Sequence, residues 1–293
     1  MKAYTTTLLL VFIPFLLAPG TSWATQAQND SYEFLAKTVK QNNKIDDEFN
    51  RQAPEGWKPL YVLEDEEKMR LIFVRSSNAE NRVSTYSYRA ETVGKKREID
   101  DKMNELAVEN WTPLFVVEDL IRYRVIFGKD ENTDESEPME YRAELIDESR
   151  YLDDKFNQLG ADGWQPMFGL NDAERFRIIF GRQKNGGHTS KRYRAVKVLY
   201  PREIDDKFNE LAPDNWKPVL GFPDGYEYRL IFVEDPSTPS AEYMADKVTY
   251  SRHIEDKFVQ HNVNGWFPRF VFKFAEDTTL LSDEPRYRLI FTR

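Results

Sequence analysis

Every tryptophan beyond residue 24 falls on one beat. Trp57, Trp111, Trp164, Trp216 and Trp266 are separated by 54, 53, 52 and 50 residues. A fixed period of about 50 residues is the mark of an array of one supersecondary unit, each copy too small to bury a sufficient core alone. Acidic pairs keep the same register: Asp46-Asp47, Asp100-Asp101, Asp153-Asp154, Asp205-Asp206 and Glu255-Asp256. So do five closing runs, Arg70-Leu-Ile-Phe73, Arg124-Val-Ile-Phe127, Arg177-Ile-Ile-Phe180, Arg229-Leu-Ile-Phe232 and Arg288-Leu-Ile-Phe291.

Within a unit the pattern switches period twice. A segment such as Tyr88–Val93 or Tyr193–Val198 alternates aromatic and β-branched residues with polar ones and predicts a strand. Ile204, Phe208, Leu211 and Ala212 then fall at i, i+4, i+7 and i+8, one apolar face of a helix. Its remaining face, Asp205, Asp206, Lys207, Asn209 and Glu210, reads as solvated. The helix exit carries Gly56, Asn110, Gly163, Asn215 or Gly265 just before the Trp, the residue types that accept a left-handed turn. Pro54 and Pro213 stop two of the helices, and a Pro stands two residues after every Trp, at 59, 113, 166, 218 and 268. Proline cannot donate to a central ladder, so this second strand is expected at an edge, followed by a turn and a third strand.

The expected fold is therefore α+β: five tandem β-α-β-β repeats, each an antiparallel three-stranded sheet with one helix. The expected segments are 25–75, 88–129, 141–182, 193–234 and 243–293. If the third strand is central, strands one and two are edges that can meet neighbouring units in an arc, a ring or pseudo-dimeric sheets. The last unit departs from the rest. Its Trp-to-Phe spacing is 25 residues against 16 elsewhere, with the excess around residues 275–285, and Val259, His261 and Asn262 replace the usual helix residues. Atypical terminal repeats commonly cap a stack, which is the role expected here.

Residues 1–24 read as a signal peptide: Lys2, an apolar run over Leu8–Leu17, and small residues at Ser22 and Ala24. The expected product is exported to the periplasm or secreted, with no membrane insertion after leader cleavage. Against 41 Lys and Arg stand 50 Asp and Glu, a formal net charge of −9. That balance repels phosphate polymers, so no nucleic-acid partner is expected. Cysteine is absent, which removes disulfides, thiol catalysis and thiolate metal sites.

Candidate functional residues follow from the same repeats. The acids Asp47, Asp101, Asp154, Asp206 and Asp256 and the strand arginines Arg70, Arg124, Arg177, Arg229 and Arg288 read as structural charges, the acids complementing the helix macrodipole and the arginines a salt-bridged framework. Cation binding or acid-base work by the acids, and ligand clamping by the arginines, are the functional alternatives. Trp57, Trp111, Trp164, Trp216 and Trp266 are either core or a repeated stacking platform for sugar rings or peptide side chains. His188, His253 and His261 lack metal-ligand spacing, and no nucleophile elbow, phosphate loop or dinucleotide fingerprint occurs, so no catalytic residue, metal or cofactor is expected.

The stretches Phe156-Asn-Gln-Leu-Gly-Ala-Asp-Gly-Trp164 and Phe208-Asn-Glu-Leu-Ala-Pro-Asp-Asn-Trp216, each followed by an apolar strand, resemble a widespread family of small bacterial domains of unknown function. The likeness touches all five units. It implies the β-α-β-β order and transfers no site. Replication without chemical specialisation points to a non-enzymatic binding or scaffold protein that engages a protein or polysaccharide partner multivalently. The alternatives are a hydrolase or sugar-active enzyme using Glu276 or Asp283 in a cleft between units, and an inhibitor or immunity-type protein with a basic target.

Overall fold

The structure is a computed structural model that describes residues 31–65, 68–78, 85–119, 122–132, 138–172, 175–185, 189–224, 227–274 and 286–293. The leader, His188 and the 275–285 insertion with Glu276 and Asp283 lie outside the described residues. The first unit comprises β1 (Tyr32–Val39), α1 (Ile45–Gln52), β2 (Lys58–Asp65) and β3 (Lys68–Ser76). The second has β4 (Tyr86–Val93), α2 (Ile99–Ala107), β5 (Thr112–Asp119) and β6 (Arg122–Asp130). The third has β7 (Met139–Ile146), α3 (Leu152–Ala161), β8 (Gln165–Asp172) and β9 (Arg175–Gln183). The fourth has β10 (Tyr193–Val198), α4 (Ile204–Leu211), β11 (Trp216–Asp224) and β12 (Glu227–Glu234), and the fifth β13 (Tyr243–Val248), α5 (Ile254–Asn262), β14 (Phe267–Phe274) and β15 (Arg286–Thr292).

In every unit the third strand is central and antiparallel to both others. The second strand is an edge, as its proline requires. Pro59, Pro113, Pro166, Pro218 and Pro268 each pair with the third-strand Phe, and a β-bulge follows immediately in all five strands. At the helix exit Gly56, Asn110, Gly163, Asn215 and Gly265 have φ between 63° and 80°. In units two, three and five the next N–H, that of the Trp, reaches back to the helix carbonyl five residues earlier, closing a Schellman turn. Pro54 and Pro213 shorten α1 and α4 to eight residues and turn the last step into a single 3-10 turn.

The closing runs show how the units assemble. Leu71, Ile72 and Phe73 are consecutive and all fully buried, which in a strand requires cover on both faces. Leu71 and Phe73 pack under α1 of their own unit, whereas Ile72 enters the core of the fifth unit beside Phe258 and Leu289. The same division recurs: Ile126 joins the core of unit one, Ile179 that of unit two, Ile290 that of unit four. Each helix is thus sandwiched between its own sheet and the back of the next sheet. Phe208 makes edge-on contacts with Phe232 of its own unit and with Tyr243 and Phe270 of the next. Because α5 packs in turn on β1, the five units close into a ring. The fifth unit therefore caps nothing; it seals the circle. Where second strands meet, large side chains face small ones. A Cβ on Gly169 would stand 3.0 Å from Phe222, and one on Gly221 2.8 Å from Phe272.

The five sheets do not pair edge to edge. The free edge of each first strand is instead covered by the preceding helix. Asn157 accepts from Tyr193 N–H at 2.7 Å and donates to Tyr193 C=O at 2.9 Å. Asn50 does the same to Tyr88, Asn104 to Tyr141 and Asn209 to Tyr243, all at 2.7–2.9 Å. One turn earlier, Asp46 accepts from Ala90 N–H at 3.3 Å and Asp100 from Ala143 N–H at 3.0 Å, and Asp153 bonds Ala195 N–H. An Asp and an Asn four residues apart share a helix face, and here they match two alternate residues of an extended edge. At the seam between units five and one Val259 replaces the Asn, and Asn262 donates to Tyr32 C=O at 2.9 Å instead. Removing one Asn leaves a strand edge half-satisfied, so Asn104→Ala and Asn157→Ala should each lower stability by about 1–3 kcal/mol. Val259→Ala, at a half-exposed position, should change it by less than about 0.5 kcal/mol. Urea denaturation midpoints of the three variants check both statements.

Candidate interaction surface

The acids and arginines read as structural charges divide in a way the sequence does not mark. In units one to four the first acid of the doublet bonds to the next unit. Asp46 pairs with Arg124 at 3.0 Å, both mostly covered, and Asp205 pairs with Arg288. Asp205 and Asn209, expected on a solvated face, are therefore interface residues. The second acids, Asp47, Asp101, Asp154, Asp206 and Asp256, are exposed. Asp47 pairs locally with Lys44 at 3.0 Å, three residues away. The strand arginines are half-buried and, where their bonds are described, reach back to the preceding unit: Arg229 to Ser149 Oγ at 2.7 Å, Arg70 to Arg252 C=O at 3.3 Å. Arg177 is half-buried at the equivalent strand position.

The tryptophans sit where the five helices end, at equivalent positions around the ring. Trp57 and Trp164 are 6% exposed and belong to the core, so neither offers an open platform. Trp111, Trp216 and Trp266 are half-buried. A cation lies over every indole: Arg75 at 4.1 Å, Lys129 at 6.0 Å, Arg182 at 4.4 Å, Arg192 at 6.0 Å and Arg293 at 4.5 Å. Arg75 also holds Glu33 at 2.6 Å and donates to Glu55 C=O at 3.2 Å, so one guanidinium covers the Trp, neutralises a cross-strand acid and caps the helix exit. Arg182 repeats all three contacts with Trp164, Glu140 and Asp162 C=O.

In unit four the pair is reversed. Glu234 occupies the arginine position, Arg192 the acid position, and the two still bond at 2.8 Å with Arg192 above Trp216. Where a cross-strand ion pair stands at this place its cation lies on the indole, whichever strand supplies it; in unit two Lys129 faces Ser87 and covers Trp111 without an acid opposite. The Arg75→Glu substitution should cost about 1–2 kcal/mol through lost cation–π and charge-assisted contacts. Adding Glu33→Arg should recover most of that loss, and a double-mutant cycle on denaturation free energies measures the recovery.

A second charged cluster anchors α5. His261 Nε2 and Lys257 Nζ both lie 2.9 Å from Asp246 Oδ2, and the His261 ring packs at a tilt on Phe291, centroids 4.5 Å apart. Burial alone would raise the Asp246 pKa, but bonds from His261, Lys257 and Lys247 N–H outweigh it and hold the carboxyl below its ordinary value. A depressed carboxyl contributes stability that is fully present above its unfolded pKa of about 4 and lost as pH falls through the folded value. The stability gap between the native chain and Asp246→Asn should therefore shrink as pH falls below about 4, read from denaturant midpoints across that range.

Among the described residues no three His, Asp or Glu side chains stand close enough to hold a metal ion, and no helix is long and apolar enough to cross a membrane. Comparison with protein-family models, with curated proteins and with solved structures finds no match. Two features escaped the sequence reading although it carried their signals. One is the Asp-x-x-x-Asn spacing in four of five helices; the other is the pair of opposite charges 42 residues apart at 33/75, 140/182 and, inverted, 192/234.

Proposed function

We propose that the chain is exported and acts as a non-enzymatic scaffold that engages an envelope or extracellular partner through several equivalent surfaces at once. One observation supports this above others. The repeated inward polar residues, Asp46, Asn50, Arg124 and their counterparts, are engaged in holding unit to unit, while the positions repeated in the open recur around a closed ring. Five near-equivalent surfaces on one rigid body convert weak single contacts into avidity, since each contact after the first is intramolecular. The net charge of −9 favours a partner that is not itself polyanionic.

The test uses the chain from Thr25 onward, cross-linked to envelope fractions and mapped by peptide mass spectrometry. Cross-links from one partner to equivalent positions in two or more units are expected. Cross-links confined to a single unit would remove the multivalent reading, and release of products from cell-wall fragments would replace it with an enzymatic one.

A further inference from the structure

The set of helix ends around the ring carries a repeated feature that the ring does not use. Val108 and Val263 are each 81% exposed, the most open large apolar side chains among the described residues, and they occupy the same position in units two and five. Pro54, Ala161 and Pro213 stand exposed at that position in the other three units. Nothing in the helix exit calls for this. That holds for the valines: Pro54 and Pro213 end their helices, but the left-handed turn needs only its Gly or Asn two residues later, and an open cap position ordinarily takes a polar residue.

The next residue is an exposed acid in four of the five units: Glu55, Glu109, Asp162 and Asp214. A helix C-terminus already carries partial negative charge, so a carboxylate there is unfavourable. The main-chain carbonyls of Glu55 and Asp162 receive Arg75 and Arg182, yet the carboxylates of Glu55, Asp162 and Asp214 form no ion pair among the described residues. Glu109 has only Arg89 at 3.8 Å. In units one to four an exposed Pro, Val or Ala is thus followed directly by an exposed carboxylate at the helix end, and in unit five Val263 is followed by Asn264.

We propose that these helix ends form the docking face for a cationic partner protein, one whose contacting surface sets lysine or arginine beside apolar side chains. The carboxylates attract the cations, the exposed apolar residues are covered, and the repetition supplies avidity. The proposal rests on the multivalent-scaffold reading and adds the face and the partner's chemistry.

The helix starts supply a matched control, because Asp47, Asp101, Asp154 and Asp206 are also exposed acids, one in each of the same four units. Binding of a fluorescent amphipathic lysine–leucine peptide to the folded full chain is read by anisotropy, with oligolysine as the apolar-free probe. The native chain is expected to bind the amphipathic peptide, with affinity falling as salt rises. A Glu55→Gln, Glu109→Gln, Asp162→Asn, Asp214→Asn variant should bind at least tenfold more weakly. The control with Asp47, Asp101, Asp154 and Asp206 all changed to Asn should stay within twofold. Val108→Ser with Val263→Ser should weaken the amphipathic peptide severalfold and leave oligolysine unchanged. All these residues are exposed, and denaturation midpoints verify folding of each variant. No binding by the native chain, equal loss in both acid variants, or no loss in the helix-exit variant would each overturn the proposal. Cross-links from an envelope partner to several units at the helix starts would also overturn it while leaving the scaffold reading in place.

Discussion

The structure depends on how it disposes of free strand edges. A three-stranded sheet has two, and a chain with five such sheets exposes ten ready templates for uncontrolled pairing. Here the first-strand edge is covered by side chains of the preceding helix. Asn157 presents the same donor and acceptor that another strand would, and Asp153 takes the next free N–H. Side chains can do this only if helix and strand are fixed relative to one another, and Phe156 packed against Phe180 and Tyr193 fixes them. The polar clasp and the apolar core are therefore one device. The core sets the distance at which the amide reaches the backbone, and the amide sets the register at which the core closes. The second-strand edge is handled differently, by a proline and a bulge that break its template.

Closure into a ring follows from asking what covers the back of each sheet. Ile72, Ile126, Ile179 and Ile290 all point away from their own helix and must find another. In an open stack the first sheet would expose its back and the last helix its outer face, and dedicated caps would be needed. The ring lets the last helix cover the first sheet, so the pattern Arg-x-Ile-Phe can be kept in every unit. This also explains why Asp46 and Asp205, first acids of their doublets, meet an arginine of the next unit. Arg124 and Ile126 share a face, so the arginine that accompanies the buried isoleucine arrives at the start of the previous helix, where Asp46 meets it.

Much of this was legible in the residues. The Trp period, the Gly/Asn before each Trp and the proline after it specified the unit, its exit turn and its edge strand, because each depends on local backbone chemistry. The direction in which Asp205 and Asn209 face was not legible, since a helix with one apolar stripe looks the same whether its polar flank meets water or another sheet's edge. The acid that matters within each doublet was hidden for a related reason: neighbouring residues on a helix differ by about 100° in direction, and only the position of the next sheet decides which one is inward. Arc against ring was equally beyond composition. It turns on whether the wedge between successive sheets sums to a full circle, a property of all five interfaces together. The inverted pair Arg192 and Glu234 is the opposite case, a tertiary contact visible in sequence because four other copies of the same site are available for comparison.

The seam shows what closure changes energetically. Between units five and one the two-bond Asn clasp is absent, and a different set of contacts replaces it: Asn262 to Tyr32 C=O, Ser251 to Asp65, and Lys273 and Tyr287 to Glu64 C=O at 3.0 and 3.3 Å. Elsewhere the chain itself holds adjacent units together, so the clasp needs only to orient them. At the seam no peptide link runs directly from one partner to the other, yet the ends are still brought together by four intact interfaces. Those interfaces hold the fifth unit near the first at a high effective concentration, and these bonds together with the buried apolar cluster shared by the two units close the ring. The seam also has its own apolar core, in which Phe34, Tyr61 and Ile72 of unit one pack with Phe258, Leu289 and Phe291 of unit five. What changes at the seam is the polar clasp alone, while the burial that holds sheet to helix is kept all the way round the ring.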